Sequence, residues 1–276
     1  MQAERHAFYE PEKILRDVEE KVEKAYEAGE HIDYLTFVPD GEPTLDVNLG
    51  RAIELLRPLG IRIAVITNGS LIWRQEVKEA LAQADWVSLK ADSTRRGIWR
   101  RVDRPHGKLS LSRIVDGALE FSKGYRGELA TETMLVEGVN DGVEHLRGVA
   151  DLLGVLEPDT AFLAVPTRPP AKQWVRSPKE RVINLAYQVF DEKVDQVELL
   201  IGYEGNAFAF TGNVEEDLLS ITAVHPMREG AVREFLARAM TDWSVVERLI
   251  ARSQLVELDY QEQRFYMRRL HTGNGR

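Results

Sequence analysis

The chain has 276 residues, a formal net charge of −9 and no cysteine, with 43% hydrophobic and 29% charged residues. That length holds one large domain, or a domain of roughly 200 residues with a small companion, and the ordinary apolar fraction excludes disordered and collagen-like classes. Zero cysteines exclude disulfides, thiolate nucleophiles, Cys-ligated zinc and any iron–sulfur cluster held by the chain's own thiolates.

No run approaches the roughly 18 uninterrupted apolar residues of a membrane span, and the stretch from Met1 to His6 is no signal peptide. A cytoplasmic protein with no membrane partner is therefore expected. Glu10-Pro11 opens the first predicted helix, with Ile14, Leu15, Val18, Val22 and Tyr26 at helical spacing and Gly29 near its end. Tyr34–Val38 is a short apolar run stopped by Pro39-Asp40-Gly41, which reads as a buried strand. The spacing then predicts a helix over Asn48–Leu59, a strand over Ile61–Ile66, a helix over Trp73–Gln83 and a strand over Trp86–Leu89. Helical pieces near Arg95–Arg101 and Leu111–Ser122 precede a strand at Leu129–Val136 and a helix at Val143–Leu156. Thr160–Val165 is a strand, Pro178 starts a helix reaching Phe190, and Val197–Ile201 closes the series.

Six strands alternating with helices through short connections imply parallel pairing by right-handed crossovers. The expected α/β fold is a partial (β/α)₆ TIM-like barrel, with a doubly wound open sheet as the alternative; both place functional loops at the C-terminal strand ends. Past Gly205 the texture changes. Asn213 caps a helix, His225-Pro226 starts another through Ala239, Trp243–Leu258 makes a third, and Leu258–Leu270 reads as a hairpin turning near Gln261-Glu262-Gln263. The expected division is a barrel over 1–205 and a small winged-helix-like domain over 206–276.

The unusual polar residues cluster at predicted strand ends. Gly41-Glu42-Pro43-Thr44 either presents a carboxylate and carbonyls to a cationic group or is an ordinary βα turn with a solvated Glu. Thr67-Asn68-Gly69-Ser70 suits a polar ligand, or caps the next helix. Ser88, Lys90 and Asp92 alternate and so share one face, as a binding row or a solvated rim. Glu132 sits inside an apolar strand, aimed into the barrel or paired structurally, and Asn140 and Asp141 equally suit a helix cap. Arg95, Arg96, Arg100, Arg101, Arg104 and Lys108, with His106, form the densest basic stretch, opposed only by Asp103. That stretch is either a phosphate contact or a solvated helix face. In the C-terminal segment Arg264, Arg268, Arg269 and Arg276 interleave with Tyr260, Phe265 and Tyr266, as a nucleic-acid contact or as core aromatics. The six histidines have no zinc-ligand spacing.

The segments 36–45, 66–71 and 87–92, together with Arg104-Pro105-His106, Met134-Leu135-Val136, Gly138-Val139-Asn140-Asp141 and Pro166-Thr167-Arg168-Pro169-Pro170, resemble the radical SAM superfamily. Within it they look like the subgroup related to the wybutosine tRNA-modifying enzymes. The resemblance spans about residues 8 to 205, although the first motif is Pro-Asp-Gly-Glu-Pro rather than the commoner Gly-Gly-Glu-Pro. It implies that Gly41, Glu42, Pro43 and Thr44 bind the methionyl amino group of S-adenosylmethionine. Thr67, Asn68, Ser88, Lys90 and Asp92 would line its ribose and carboxylate, and Asn140 would lie near the adenine. Arg104, His106 and Arg168 would stand nearer the substrate mouth.

The resemblance also implies a [4Fe–4S] cluster on a CxxxCxxC loop after the first barrel strand, an electron donor, and an unidentified substrate for which RNA is a candidate. Neither the loop nor that strand is found in this chain. In relatives the loop lies just upstream of a segment like Phe8-Tyr9-Glu10-Pro11, so the expectation is a radical SAM enzyme whose cluster loop precedes this start. The alternatives are a catalytically silent binder of S-adenosylmethionine or nucleic acid, and a different barrel chemistry. A barrel without its first strand also leaves an exposed edge, which favours self-association.

Overall fold

The computed structural model describes residues 3–38, 41–200, 208, 210–224, 226–260 and 263–269. Pro39 and Asp40, the end of the last predicted barrel strand at Ile201, Gly205, His225 and the hairpin turn at Gln261-Glu262 lie outside them. Within them the chain forms two compact units. The first comprises Met1–Asp17, Asp33–Thr167 and Lys172–Tyr203; the second comprises Val18–Ile32, Arg168–Ala171 and Glu204–Arg276.

Helix α1 (Pro11–Glu27) starts on a proline, whose missing N–H costs nothing at a first helical position. The strands of the first unit are β1 (Tyr34–Phe37), β2 (Arg62–Thr67), β3 (Trp86–Lys90), β4 (Glu128–Met134), β5 (Thr160–Ala164) and β6 (Val197–Leu200). Between them run α2 (Leu49–Leu56), α3 (Gln75–Leu81), α4 (Arg96–Val102), α5 (Leu111–Gly124), α6 (Val143–Leu156) and α7 (Glu180–Asp191). The strands pair in chain order, all parallel, as one six-stranded sheet. A doubly wound sheet reverses its strand order at a switch point, and no reversal occurs here. Winding in one direction places the crossover helices on one face and leaves the other for side chains and ligand.

The two faces differ accordingly. Ala161, Leu163, Val165 and Val197 pack with Leu146, Val149, Leu153, Ala186 and Phe190 of α6 and α7 in one buried cluster. Fully burying a Leu or Val side chain stabilises by about 1.5–3 kcal/mol, and these residues fix the helices to the sheet. On the other face, parallel register sets Ile66, Ser88, Ala130 and Thr160 in one row, and Lys90, Glu132, Phe162 and Glu198 in the next. Gly117 allows α5 to approach the turn before α3, because a Cβ there would lie 2.6 Å from the backbone nitrogen and Cα of Trp73. Among the described residues β1 and β6 each pair on one side only, and Val38, Leu199 and Leu200 are exposed there.

The second unit holds α8 (Val214–Val224), α9 (Glu229–Arg238) and α10 (Ser244–Ala251) with a three-stranded antiparallel sheet. Its strands are β7 (Met227–Arg228), β8 (Leu255–Tyr260) and β9 (Gln263–Arg268), in the order β7-β9-β8. Two expectations are corrected. The helix expected to continue to Leu258 ends at Ala251, because Ser253 turns left-handed at φ 58° and the Gln254 amide bonds back to the Leu249 carbonyl. Leu255 onward then pairs with β9, so the hairpin begins earlier. The helix expected from His225-Pro226 starts at Glu229, because Met227 and Arg228 pair with Tyr266 and Phe265 as β7. Phe265 and Tyr266 are each 1% exposed and belong to the core of this unit.

Candidate functional site

At the end of β1, Glu42 opens a 3₁₀ turn, Pro43–Leu45. Its Oε1 accepts from the Thr44 amide at 3.1 Å, from the Thr44 hydroxyl at 2.6 Å and from the Thr67 hydroxyl. Oε2 accepts from the Asn68 amide at 2.8 Å. One carboxylate therefore ties the loop after β1 to the loop after β2. Gly69, left-handed at φ 67°, lets that second loop turn back so that its amide reaches the Thr67 hydroxyl at 3.0 Å. From the other side, Arg5 donates to the Thr44 and Asp46 carbonyls at 2.9 and 2.8 Å.

At the end of β3 the arrangement is ionic. Lys90 stands opposite Glu132 in the parallel register, which puts its Nζ 3.1 Å from Glu132 Oε1; Asp92 Oδ2 is 3.4 Å away. Burial alone would lower the Lys90 pKa, but the Asp92, Glu132 and Asp103 carboxylates outweigh it and hold the ammonium above the ordinary lysine value. Asp92 is 2% exposed. Its Oδ1 accepts from the Met134 amide at 2.6 Å, while Oδ2 has no hydrogen-bond partner.

The Asp92 backbone is gripped from α6 and the loop before it. Its carbonyl accepts from Asn140 Nδ2 at 3.1 Å and lies 3.0 Å from His145 Nε2. Asn140 also donates to the Met134 carbonyl at 2.8 Å and accepts from the Val136 amide at 2.7 Å. Burial pushes the His145 imidazole below its ordinary pKa, and its Nδ1 is buried without a partner.

These strand ends open on a cavity of about 610 Å³ that also runs along α5 and α6, where Ile114, Val115, Ala118, Leu152 and Leu156 line it. Its polar edge is Glu42, Asn68, Ser70, Lys90, Asp92 and Asp103, and its apolar wall includes Leu45, Leu89, Trp99, Val102 and Leu109. Of the residues expected to bind cofactor or substrate, Gly41, Glu42, Asn68, Lys90, Asp92 and His106 line it. Pro43 faces a neighbouring cavity with Phe8 and Tyr9. Thr44, Thr67, Ser88 and Asn140 are buried behind it, at 1%, 2%, 4% and 0% exposure. Asn140, expected beside an adenine, has its amide engaged by backbone instead. Arg104 is exposed just before His106, left-handed at φ 50° ahead of a proline, where that conformation is disfavoured. Arg168 falls in the segment grouped with the second unit.

Sequence reasoning missed Asp103 and His145. Asp103 registered only as the lone acid in a basic run, yet burial and the nearby Asp92 charge push its carboxyl up to about 9, against the pull of Lys90. Its position as the one carboxylate among six cations was the available signal. The arginines around it behave differently. Arg96, Arg100, Arg101 and Arg104 are exposed and, among the described residues, have no carboxylate at ion-pair distance; Arg101 stacks on Trp174 at 5.1 Å.

Two groups can be tested against this chemistry. A thiolate-held iron–sulfur cluster does not fit, since none of the 276 residues is a cysteine. Among the described residues, no group of three or more His, Asp or Glu could hold a metal ion. S-adenosylmethionine does fit: the cavity has an apolar wall, hydrogen-bonding edges and a buried carboxylate oxygen, Asp92 Oδ2, that makes no hydrogen bond and has the Lys90 ammonium 3.4 Å away.

Comparison with known proteins points the same way. Residues 3–153 match the family model of the Radical SAM superfamily. The UPF0026 protein MJ1312 of Methanocaldococcus jannaschii is 42% identical over 271 residues, covering 98% of this chain and 84% of that protein. A radical SAM methyltransferase from Sphaerobacter thermophilus superposes with a TM-score of 0.54 at 17% identity, over 69% of this chain and 57% of that one. TYW1 with a lysine-pyruvate adduct bound gives 0.53 at 19% identity, over 68% and 64%. At such identities the structural matches speak for the shared α/β fold with its six-stranded parallel sheet.

Proposed function

The chain belongs to the Radical SAM superfamily, and on that premise we propose that the cavity at the ends of β1, β2 and β3 binds S-adenosylmethionine. The observation that carries this is the convergence of Glu42, Asn68, Lys90 and Asp92 on one 610 Å³ cavity, with Asp92 Oδ2 making no hydrogen bond there. Gly41 and Glu42 serve the amino group, with Pro43 and Thr44 setting the turn. Asn68, Lys90 and Asp92 meet the ribose and carboxylate, with Thr67 and Ser88 packed beneath. The wall of Trp99, Val102 and Leu109 suits a purine face. Glu42 acts chiefly by positioning, because its carboxylate is already engaged by Thr44, Thr67 and Asn68. Asn140 acts by holding Asp92 in place.

Reductive cleavage of S-adenosylmethionine, the chemistry of the superfamily, takes its electron from a cluster held on thiolates. These 276 residues supply binding and orientation, and we assign cleavage only to an assembly in which thiolates and an electron donor come from outside them. There the product is radical modification of a substrate, for which we propose RNA. The support is the rim of Arg96, Arg100, Arg101 and Arg104, exposed and without ion-pair partners among the described residues, the type of contact that phosphates take; His106 belongs to the same proposed mouth, whereas Arg168, grouped with the second unit, is not assigned to it. We further propose residues 1–205 as the barrel domain. Residues 206–276 would be a winged-helix-like domain, on the strength of three helices and a three-stranded antiparallel sheet. The second reading, a silent S-adenosylmethionine-binding protein, is favoured by the absence of cysteine alone.

Calorimetric titration with S-adenosylmethionine is the test. Saturable binding is expected, weakened at least tenfold, or about 1.4 kcal/mol, by Asp92→Asn. The same protein reconstituted anaerobically with iron and sulfide, then given dithionite, is expected to release no 5′-deoxyadenosine. Absence of binding, or binding indifferent to Asp92→Asn, refutes the cofactor assignment; release of 5′-deoxyadenosine refutes the division of labour.

A further inference from the structure

The pairing of β3 with β4 changes character at Asp92. β3 ends at Lys90, and the Ala91 amide makes one more bond across, to the Glu132 carbonyl at 2.8 Å. The next amide on that side of β4, Met134, donates to Asp92 Oδ1 at 2.6 Å. A side-chain oxygen thus extends the ladder, and the Asp92 carbonyl is left to find partners elsewhere. Among the described residues no loop or cap amide reaches that carbonyl.

Its partners are two side chains, one from α6 and one from the loop before it. Asn140 Nδ2 lies at 3.1 Å and His145 Nε2 at 3.0 Å. Asn140 also bonds Val136 and Met134, so it serves its own loop as well. The His145 ring has no other hydrogen bond among the described residues: the residue is 3% exposed, and Nδ1 is buried without a partner. A carbonyl oxygen only accepts, so Nε2 carries the proton and Nδ1 a bare lone pair. Burying that lone pair unpaired is a cost to the fold, and the one hydrogen bond the ring makes is to Asp92.

We propose that His145 is a positioning residue for the bound ligand: its Nε2–H holds the Asp92 backbone so that Oδ1 stays on Met134 and Oδ2 stays beside Lys90. This rests on the reading of the cavity as the S-adenosylmethionine site, and it adds a residue that does not itself line that cavity. Any effect of His145 on binding therefore reaches the ligand through Asp92. With the carbonyl held on one side and Oδ1 on the other, the carboxylate is ordered during folding rather than during binding, which favours affinity. Loss of the imidazole donor frees residue 92 to shift, and the carboxylate and the Lys90 ammonium 3.4 Å from it lose their setting.

The experiment is calorimetric titration of S-adenosylmethionine into the 276-residue protein and its variants. His145→Leu, apolar and without a donor, is expected to weaken binding about tenfold, the worth of one hydrogen bond. His145→Gln offers an N–H again and should restore affinity to within about threefold of the unaltered protein. Val149→Ala, fully buried on the same helix, should lower the urea midpoint and leave affinity unchanged. Combined with Asp92→Asn, His145→Leu should add little further loss, because both act at one carboxylate. Nitrogen-15 NMR of the unaltered protein should show one histidine with a protonated Nε2 and a bare Nδ1, missing from the His145→Gln spectrum. A protonated Nδ1 at that position, unchanged affinity in His145→Leu, no rescue by His145→Gln, or losses that add fully with Asp92→Asn overturns this inference alone. If His145→Leu does not fold, the spectrum and His145→Gln still decide. No binding by the unaltered protein defeats the cofactor reading and this inference with it.

Discussion

The ends of β1 and β3 carry two carboxylates in opposite conditions. Glu42 accepts four hydrogen bonds from Thr44, Thr67 and Asn68 and knits two loops together. Asp92 is more deeply buried, yet its Oδ2 is without a hydrogen-bond partner, beside one ammonium and a second carboxyl group. A carboxylate with its acceptor sites filled serves the fold. One left short of donors in a cavity is poised for a ligand, because burying an unpaired oxygen costs more than a structural role repays. The sequence named both Glu42 and Asp92 as cofactor-binding candidates and could not tell which of the two carboxylates is already engaged.

The largest test removes the support beneath Asp92. Asn140→Ala strands the Val136 amide and the Met134 carbonyl and leaves the Asp92 carbonyl to His145 alone, all three now bonded to one fully buried amide. We expect a loss of about 3 kcal/mol in urea denaturation, since several buried groups lose partners at once. A loss below about 1 kcal/mol would mean that water replaces the amide, and would loosen the link between Asp92 and α6.

Glu42→Gln sharpens the other side of the comparison. It keeps the shape but turns one oxygen into a donor facing the amide or hydroxyls that Glu42 now accepts from. A loss of about 1.5 kcal/mol is expected by the same measurement, with S-adenosylmethionine binding weakened through displacement of Asn68. Unchanged stability with abolished binding would instead make Glu42 a direct ligand contact.

The smallest effect is the pH dependence of stability without ligand. The folded carboxyl of Asp103 lies near 9, above its unfolded value of 3.8. Its contribution is therefore fully present below about pH 4 and is lost as pH rises towards 9. The slope cannot exceed about 1.4 kcal/mol per pH unit and is reduced because the side chain is partly exposed. Asp103→Asn should flatten the decline in Tm between pH 7 and 8.5; an equally steep decline in the variant would show that another group carries the proton.

The arginines repeat the contrast on a wider scale. Around α4 they stand exposed without ion pairs among the described residues, whereas in the second unit Arg248 and Arg252 both meet Glu215, and Arg264 meets Glu257 at 3.3 Å. Composition counts these cations alike. Density of Lys and Arg in the sequence therefore does not tell which cations are already paired.

Periodicity made much of the fold legible. The α6 span Val143–Leu156 was readable from Gly138-Val139-Asn140-Asp141 before it and an unbroken apolar stripe, and the βα alternation led to a parallel sheet, because both patterns are local properties of the chain. Near Trp243–Leu258 the same reasoning failed: Leu255-Val256-Glu257-Leu258 suits a helix or a strand, and the choice was made by β9, a partner the local pattern does not contain.

By itself, then, the sequence determined the strand–helix order, the lack of thiolates, and the placing of Lys90 and Glu132 on alternating strand positions. The tertiary structure decided that those two face each other, that Glu42 is engaged by residues 25 and 26 positions away, and that Asp103 returns to Asp92. The reason is physical. Helix and strand preferences act over a few residues, but whether a buried polar atom finds a partner depends on groups that only folding brings together.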